Sequence, residues 1–121
     1  MKRRTYLNVL LVVGLGLLIP FTGIGQTKKE ATDIYNSAAT SYKQDPKTSL
    51  DNLLKAIQIC EQLGEEGEEI KVNSESLIPK VYFEIAMLQY KQKDLQGTLD
   101  NLEKAEETAV KYNDEIGRAH V

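Results

Sequence analysis

The sequence of 121 residues lacks tryptophan and contains only one cysteine, one histidine and three prolines. A single cysteine excludes a disulfide bond within the chain and leaves a cysteine-based metal or redox site without partners. The one histidine is His120, next to the last residue, so no other histidine can serve in acid–base catalysis. Glycine and proline are scarce between residues 27 and 63, which favours long helices.

Charge and motif content argue against several classes of function. The formal net charge is −3, and it falls to −6 when Lys2, Arg3 and Arg4 are set aside. This acidic balance gives no support for binding nucleic acid or an anionic membrane. The sequence has no cysteine–histidine or serine–histidine arrangement, metal-ligand spacing or phosphate-binding glycine loop. We therefore predict a protein without enzymatic activity, catalytic residues, metal, cofactor or small-molecule substrate, although a carboxylate pair assembled by folding is left open.

Residues 1–25 have the three-part pattern of a secretory signal peptide. A basic start precedes an apolar run over residues 7–19, and Gly23 and Gly25 predict cleavage before Gln26. This run is shorter than the roughly 20 residues that a membrane-spanning helix needs. We therefore predict export; the alternative is an uncleaved inner-membrane anchor at residues 7–24.

The last six residues, 116–121, match the in-frame translation of a short-read sequencing adapter, ATC-GGA-AGA-GCA-CAC-GTC. We interpret residues 115–121 as a non-native tail and expect the natural chain to continue beyond about Asp114. The alternative is a frayed terminus of arbitrary composition. His120 is accordingly assigned no function.

Hydrophobic period and capping residues predict four helices in residues 26–114. The predicted ranges are Thr27 to about Gln44, Pro46 to near Leu63, about Glu68 to Lys91, and Leu95 to about Tyr112. Asp45 and Asp94 are predicted N-caps, and Gly64 is a predicted stop. Pro79 is expected to kink or break the third helix. The connections are too short for anything but antiparallel hairpins.

Two nearly identical octapeptides reveal an internal repeat. SLDNLLKA starts at position 49 and TLDNLEKA at position 98, so the period is 49 residues. Repetition at a fixed period indicates one supersecondary unit used twice. Cys60 follows Leu50, Leu53 and Ile57 at spacings of three and four, which predicts a buried position on one helical face.

The segment YFEIAMLQYKQKDLQGTLDNLEKA resembles a tetratricopeptide repeat. The positions that match this family are Tyr82, Ile85, Ala86, Leu102 and Ala105 in the second copy, and Ile34, Ala38, Leu53 and Ala56 in the first. The resemblance implies an all-α fold, in which two antiparallel helical pairs stack as a right-handed α-solenoid. Copy one covers about residues 27–63 and copy two about residues 65–113. Similar elongated repeats occur in exported proteins of Gram-negative bacteria, which implies a periplasmic or secreted location.

The spacing of this repeat is longer than usual for the family. Tetratricopeptide repeats have a period of about 34 residues, and the surplus here lies between Leu63 and Pro79. Because the apolar stripe continues through this segment, we predict an N-terminal extension of the third helix. Its acidic run, residues 65–69, is interpreted as a solvated helix start, since it lacks the alternating ligands of a calcium loop.

The resemblance also implies a function. In this family the first helix of each pair lines a concave groove that binds a peptide or helix. The implied groove residues are Tyr35, Ala39, Tyr42, Lys43, Phe83, Met87, Tyr90 and Lys91. The alternative is that these side chains pack in a core against helices outside this chain. We expect a non-enzymatic scaffold in the cell envelope with a protein or peptide partner, and self-association through an open repeat end is a further expectation.

A second function is open because the tail indicates a longer natural chain. The repeats could form the exported sensor part of a membrane signalling receptor, such as a sensor histidine kinase. A second apolar run of about 20 residues followed by a kinase motif in the longer sequence would distinguish the two functions.

Overall fold

The computed structural model describes residues 27–119, which are helical apart from short turns. The helices are α1 (Thr27–Ser41), α2 (Pro46–Leu63), α3 (Glu68–Lys91) and α4 (Leu95–Ala119), and a 3-10 turn (Gly64–Gly67) joins α2 to α3. No strand occurs within residues 27–119. The predicted all-α class is therefore confirmed, and so is the helical extension upstream of Pro79.

Three helix ends follow the predicted capping and stop residues. The Asp45 Oδ1 accepts a hydrogen bond from the Thr48 N–H at 3.3 Å, and the Asp94 Oδ1 accepts one from the Gly97 N–H at 2.9 Å. Each carboxylate satisfies an amide that has no partner within its helix. Gly64 ends α2 with a φ of +67°, a conformation that glycine adopts without steric cost.

Two helix ends differ from the prediction. Helix α1 ends at Ser41 rather than Gln44, because the Ser41 carbonyl accepts bonds from the Gln44 and Asp45 amides in a tight turn. Helix α4 continues to Ala119 rather than ending near Tyr112. Neither proline nor glycine interrupts the sequence between Tyr112 and Gly117, so no local feature stops the helix earlier.

Helix α3 passes through Pro79 without a break. Of the two effects predicted for this proline, a kink or a break, the break is therefore wrong. Ser74 and Ile78 before the proline and Val81 after it are all buried. Packing on both sides therefore holds the chain helical where the proline removes one backbone donor. The nearby Ser76 hydroxyl donates to the Val72 carbonyl at 2.8 Å.

The four helices pack in chain order, α1 on α2, α2 on α3 and α3 on α4, and α1 also touches α3. The core cluster consists of Ala38 from α1, Leu53 and Ile57 from α2, and Ile78, Val81 and Ile85 from α3. Because α4 contributes no member, the centre of the core lies among the first three helices. This uneven placement distinguishes the two ends of the array.

The turn between α2 and α3 is held close to α2. A Cβ on Gly67 would lie 2.7 Å from the Cys60 backbone, so this position accepts only glycine without a shift. Cys60 itself is buried, as predicted, and this burial raises the pKa of its thiol. Cys60 therefore acts as a small apolar core residue.

None of the helices within residues 27–119 is long and apolar enough to cross a membrane. The predicted signal peptide, and the alternative anchor at residues 7–24, lie outside the described residues.

Candidate functional site

One side of α3 presents large apolar side chains to solvent. Phe83, Met87 and Tyr90 are spaced by four and three residues, which places them on one helical face. Phe83 is 48% exposed and Tyr90 is 61% exposed, whereas Met87 is half-buried and Lys91 is exposed. We call these four residues the α3 outer face. The opposite side of the same helix supplies Val81 and Ile85 to the core.

The four corresponding residues of α1 lie in different surroundings. Tyr35 and Tyr42 are half-buried and pack against the core cluster. Ala39 is also half-buried, and Lys43 is exposed at the rim. The sequence predicted both the α1 set and the α3 set as groove residues, but only the α3 set has exposed aromatic rings. The two sets differ in exposure because α3 covers part of α1, whereas no helix within residues 27–119 covers α3 in the same way.

A second candidate site lies between α2, α3 and α4 and was not predicted. It is a cleft of about 460 Å³. Its lining residues are Ile57, Glu61, Glu68, Lys71, Val72, Glu75, Lys111, Tyr112, Glu115 and Ile116.

Glu75 has the most perturbed environment in this cleft. It is only 4% exposed. Burial, followed by a hydrogen bond with Glu115, raises the pKa of Glu75 from 4.5 to about 7, while Lys71 opposes this shift. Burial and the Glu75 carboxylate also raise the pKa of Tyr112. The Tyr82 ring lies 6.0 Å from the Lys104 Nζ of α4. Glu75 stands seven residues before Tyr82 and therefore shares this side of α3, a relationship visible in the sequence once α3 is known to continue through Pro79.

The side chains that line this cleft support proton exchange. Two carboxyl groups that share a proton can act as an acid–base pair, yet no nucleophilic thiol or histidine lines the cleft. No group of three metal-ligating side chains is found within residues 27–119. Glu115 is exposed on α4 and belongs to residues 115–121, which are predicted above to be a non-native tail.

No protein-family model, curated protein or solved structure matches this chain. The α3 outer face is the surface that most favours a functional contact, because exposed rings on a rigid helix are typical of protein-binding sites.

Proposed function

We propose that this protein is a non-enzymatic scaffold that binds another protein. In this proposal the two helical pairs form a tetratricopeptide-like, right-handed α-solenoid, and a peptide or helix binds along the first helices of the pairs. The chain is exported, through the signal peptide of residues 1–25, to the periplasm or medium of a Gram-negative bacterium. Self-association through the open end of the array is the alternative to a separate protein partner.

The observation that carries this proposal is the exposure of Phe83 and Tyr90 on a helix whose other side is fixed in the core. Aromatic side chains on a rigid support lose little conformational entropy on binding and bury a large apolar area. Lys91 at the end of this face can pair with a carboxylate of the ligand. The α1 residues contribute mainly through Ala39 and Lys43, since Tyr35 and Tyr42 are engaged in packing.

The experiment that tests the proposal is a capture assay with a Phe83→Ala, Tyr90→Ala double variant. Residues 26–121 are immobilised and incubated with a periplasmic extract, and the bound proteins are identified by mass spectrometry. We expect the double variant to lose the proteins that the unchanged chain captures, because its two exposed anchors are gone.

Leu54→Ala is the matched control, since Leu54 is an exposed apolar residue on α2. This control should capture the same proteins as the unchanged chain, and circular dichroism should show equal helicity for all three proteins. If the folded double variant captures the same set, the binding surface lies elsewhere and the proposal fails.

A further inference from the structure

The internal repeat allows each helix of the second pair to be compared with its counterpart in the first. The octapeptides are 49 residues apart, so Leu99 and Leu102 of α4 correspond to Leu50 and Leu53 of α2. In α2, Leu53 is buried and Leu50 packs against the core cluster that includes α3. In α4, Leu99 is 62% exposed. The side of α2 that α3 covers therefore has an uncovered counterpart on α4.

This uncovered side is a continuous helical face. The α4 outer face consists of Leu95, Leu99, Leu102, Glu106 and Val110, which are spaced by three or four residues. Leu95 and Val110, near its two ends, are 63% and 59% exposed. The face therefore extends over four turns of helix, a length that suits another helix better than an isolated side chain.

The same comparison explains the exposure on α3. The turn of the first pair is one residue shorter, so Tyr35 and Tyr42 of α1 correspond to Phe83 and Tyr90 of α3 at an offset of 48. The α1 tyrosines are half-buried beside a core to which α3 contributes. A further helix that packed on α3 and α4 as α3 packs on α1 and α2 would cover Phe83, Tyr90 and Leu99 together. We call the α3 and α4 outer faces together the cradle.

The opposite end of the array is closed to such a contact. At the same offset, Glu30, Asp33 and Ser37 of α1 correspond to Ile78, Val81 and Ile85, the residues by which α3 enters the core. All three α1 residues are polar and exposed, and Asp33 forms an ion pair with Lys29 at 3.0 Å. A second copy of the chain therefore cannot place α1 on the cradle as α3 lies on α2.

The charged residues on α4 limit which helix can bind to the cradle. Glu103, Glu106 and Glu107 surround a shallow depression at Val110, and Lys111 is the one basic residue that lines it. Two α4 helices that met face to face would bring these carboxylates together, which opposes a symmetric dimer. A helix with lysine or arginine on this side would instead gain favourable pairing.

We propose that the cradle formed by α3 and α4 binds one basic amphipathic helix, which takes the position relative to α3 and α4 that α3 takes relative to α1 and α2. The occupant presents apolar residues at the spacing of Ile78, Val81 and Ile85 and places basic residues beside Glu103 and Glu106. This inference rests on the proposed function and specifies the class of its partner.

The test measures the affinity of a designed peptide for the chain of residues 26–121 by fluorescence anisotropy. The probe is a synthetic peptide with the 24-residue sequence of α3 in which Glu68, Glu69, Glu75 and Glu84 are replaced by lysine. The matched control peptide is α3 itself, which has the same apolar stripe. We expect the lysine peptide to bind roughly tenfold or more tightly than α3, since only the charges differ.

Two pairs of protein variants locate the site. Leu99→Glu should abolish binding of the lysine peptide, whereas Leu54→Glu, at an exposed leucine on α2, should leave it unchanged. Glu103→Lys with Glu106→Lys should reverse the preference between the two peptides. Glu65→Lys with Glu66→Lys makes the same change in net charge in the exposed turn before α3. This control should leave the preference between the two peptides unchanged.

The outcomes separate this inference from the function on which it depends. If the lysine peptide does not bind, or binds Leu99→Glu equally well, the helix-binding cradle is wrong. The scaffold function would still stand if capture from extract depended on Phe83 and Tyr90. If sedimentation shows a dimer that only Leu99→Glu dissociates, and no peptide binds, the cradle is a self-association surface instead.

Discussion

The two helical pairs share an octapeptide and a capping pattern but differ in how their neighbours cover them. Leu53 of α2 is fully buried, whereas its counterpart Leu102 of α4 is only half-buried. The difference comes from position, because α2 lies between α1 and α3 while α4 packs mainly on α3. Nearly identical segments thus contribute unequally to the core when one copy stands at the end of an array.

The two ends of the array also differ in chemistry. The outer side of α1 carries Glu30, Asp33 and Ser37, and the outer side of α4 carries Leu95 and Leu99. A polar end is stable in water without a further helix. Apolar side chains exposed at an end are unfavourable in water, and covering them with another helix lowers the free energy. The comparison therefore favours the second pair over the first as the main surface for the proposed binding.

The greatest loss of stability is expected for Leu53→Ala, and Leu102→Ala makes the equivalent change in the second pair. Removing Leu53 leaves a cavity among three helices and should lower the free energy of unfolding by about 2–5 kcal/mol. Leu102 contacts fewer neighbours, and its loss should cost about 1 kcal/mol. Urea denaturation followed by circular dichroism measures both values. Equal losses would show that the second pair is as fully packed as the first.

The second prediction concerns Glu75, a buried carboxyl found only in the second pair. Its pKa of about 7 in the folded state lies above its ordinary value of 4.5, so the folded state binds this proton more tightly than the unfolded state. The free energy of unfolding should therefore fall as the pH rises from about 4.5 to 7. Glu75→Gln cannot ionise and should remove this fall, which corresponds to roughly 3 kcal/mol at most.

Two controls accompany the Glu75 measurement. Glu69→Gln changes an exposed glutamate of the same helix that is not among the causes of the raised pKa of Glu75, and it should keep the pH dependence of the unchanged chain. A chain that ends at Asp114 lacks Glu115 and should show a smaller pH dependence, because one cause of the raised pKa is removed. A flat profile for the unchanged chain between these pH values would contradict the raised pKa of Glu75.

The third prediction compares two tyrosines at equivalent positions. Tyr42→Ala removes a ring that packs against the core and should cost about 2 kcal/mol of stability. Tyr90→Ala removes a mostly exposed ring and should cost less than about 0.5 kcal/mol. Thermal denaturation of the two single variants gives the difference. A large loss for Tyr90→Ala would mean that this ring is part of the packing and not a free anchor.

The smallest expected effect tests what the two pairs have in common. Asp45→Ala and Asp94→Ala each remove an N-cap and should each cost about 1 kcal/mol. Asparagine at either position keeps an acceptor oxygen and should restore most of the loss, as measured by thermal denaturation. If only one of the alanine variants is destabilised, capping depends on tertiary context at that pair.

The predicted helix bounds that proved accurate depend on interactions between residues close in sequence. The starts of α2 and α4 follow Asp45 and Asp94, and the stop of α2 follows Gly64, because capping involves groups within one turn of helix. The all-α class and the buried position of Cys60 follow similarly from a short helical period. The ends of α1 and α4 were less accurate, since no strong stop marks them in the sequence.

The helices, their caps and the repetition of one helical pair can be predicted from the sequence, because they depend on local period and local hydrogen bonds. Contacts between helices determine instead that α3 continues through Pro79, that Tyr42 packs while Tyr90 is exposed, and that Glu75 is buried with a raised pKa. Each of these outcomes depends on which helices surround a residue. Burial and desolvation arise from neighbours distant in sequence, so equivalent positions in the two copies acquired different properties.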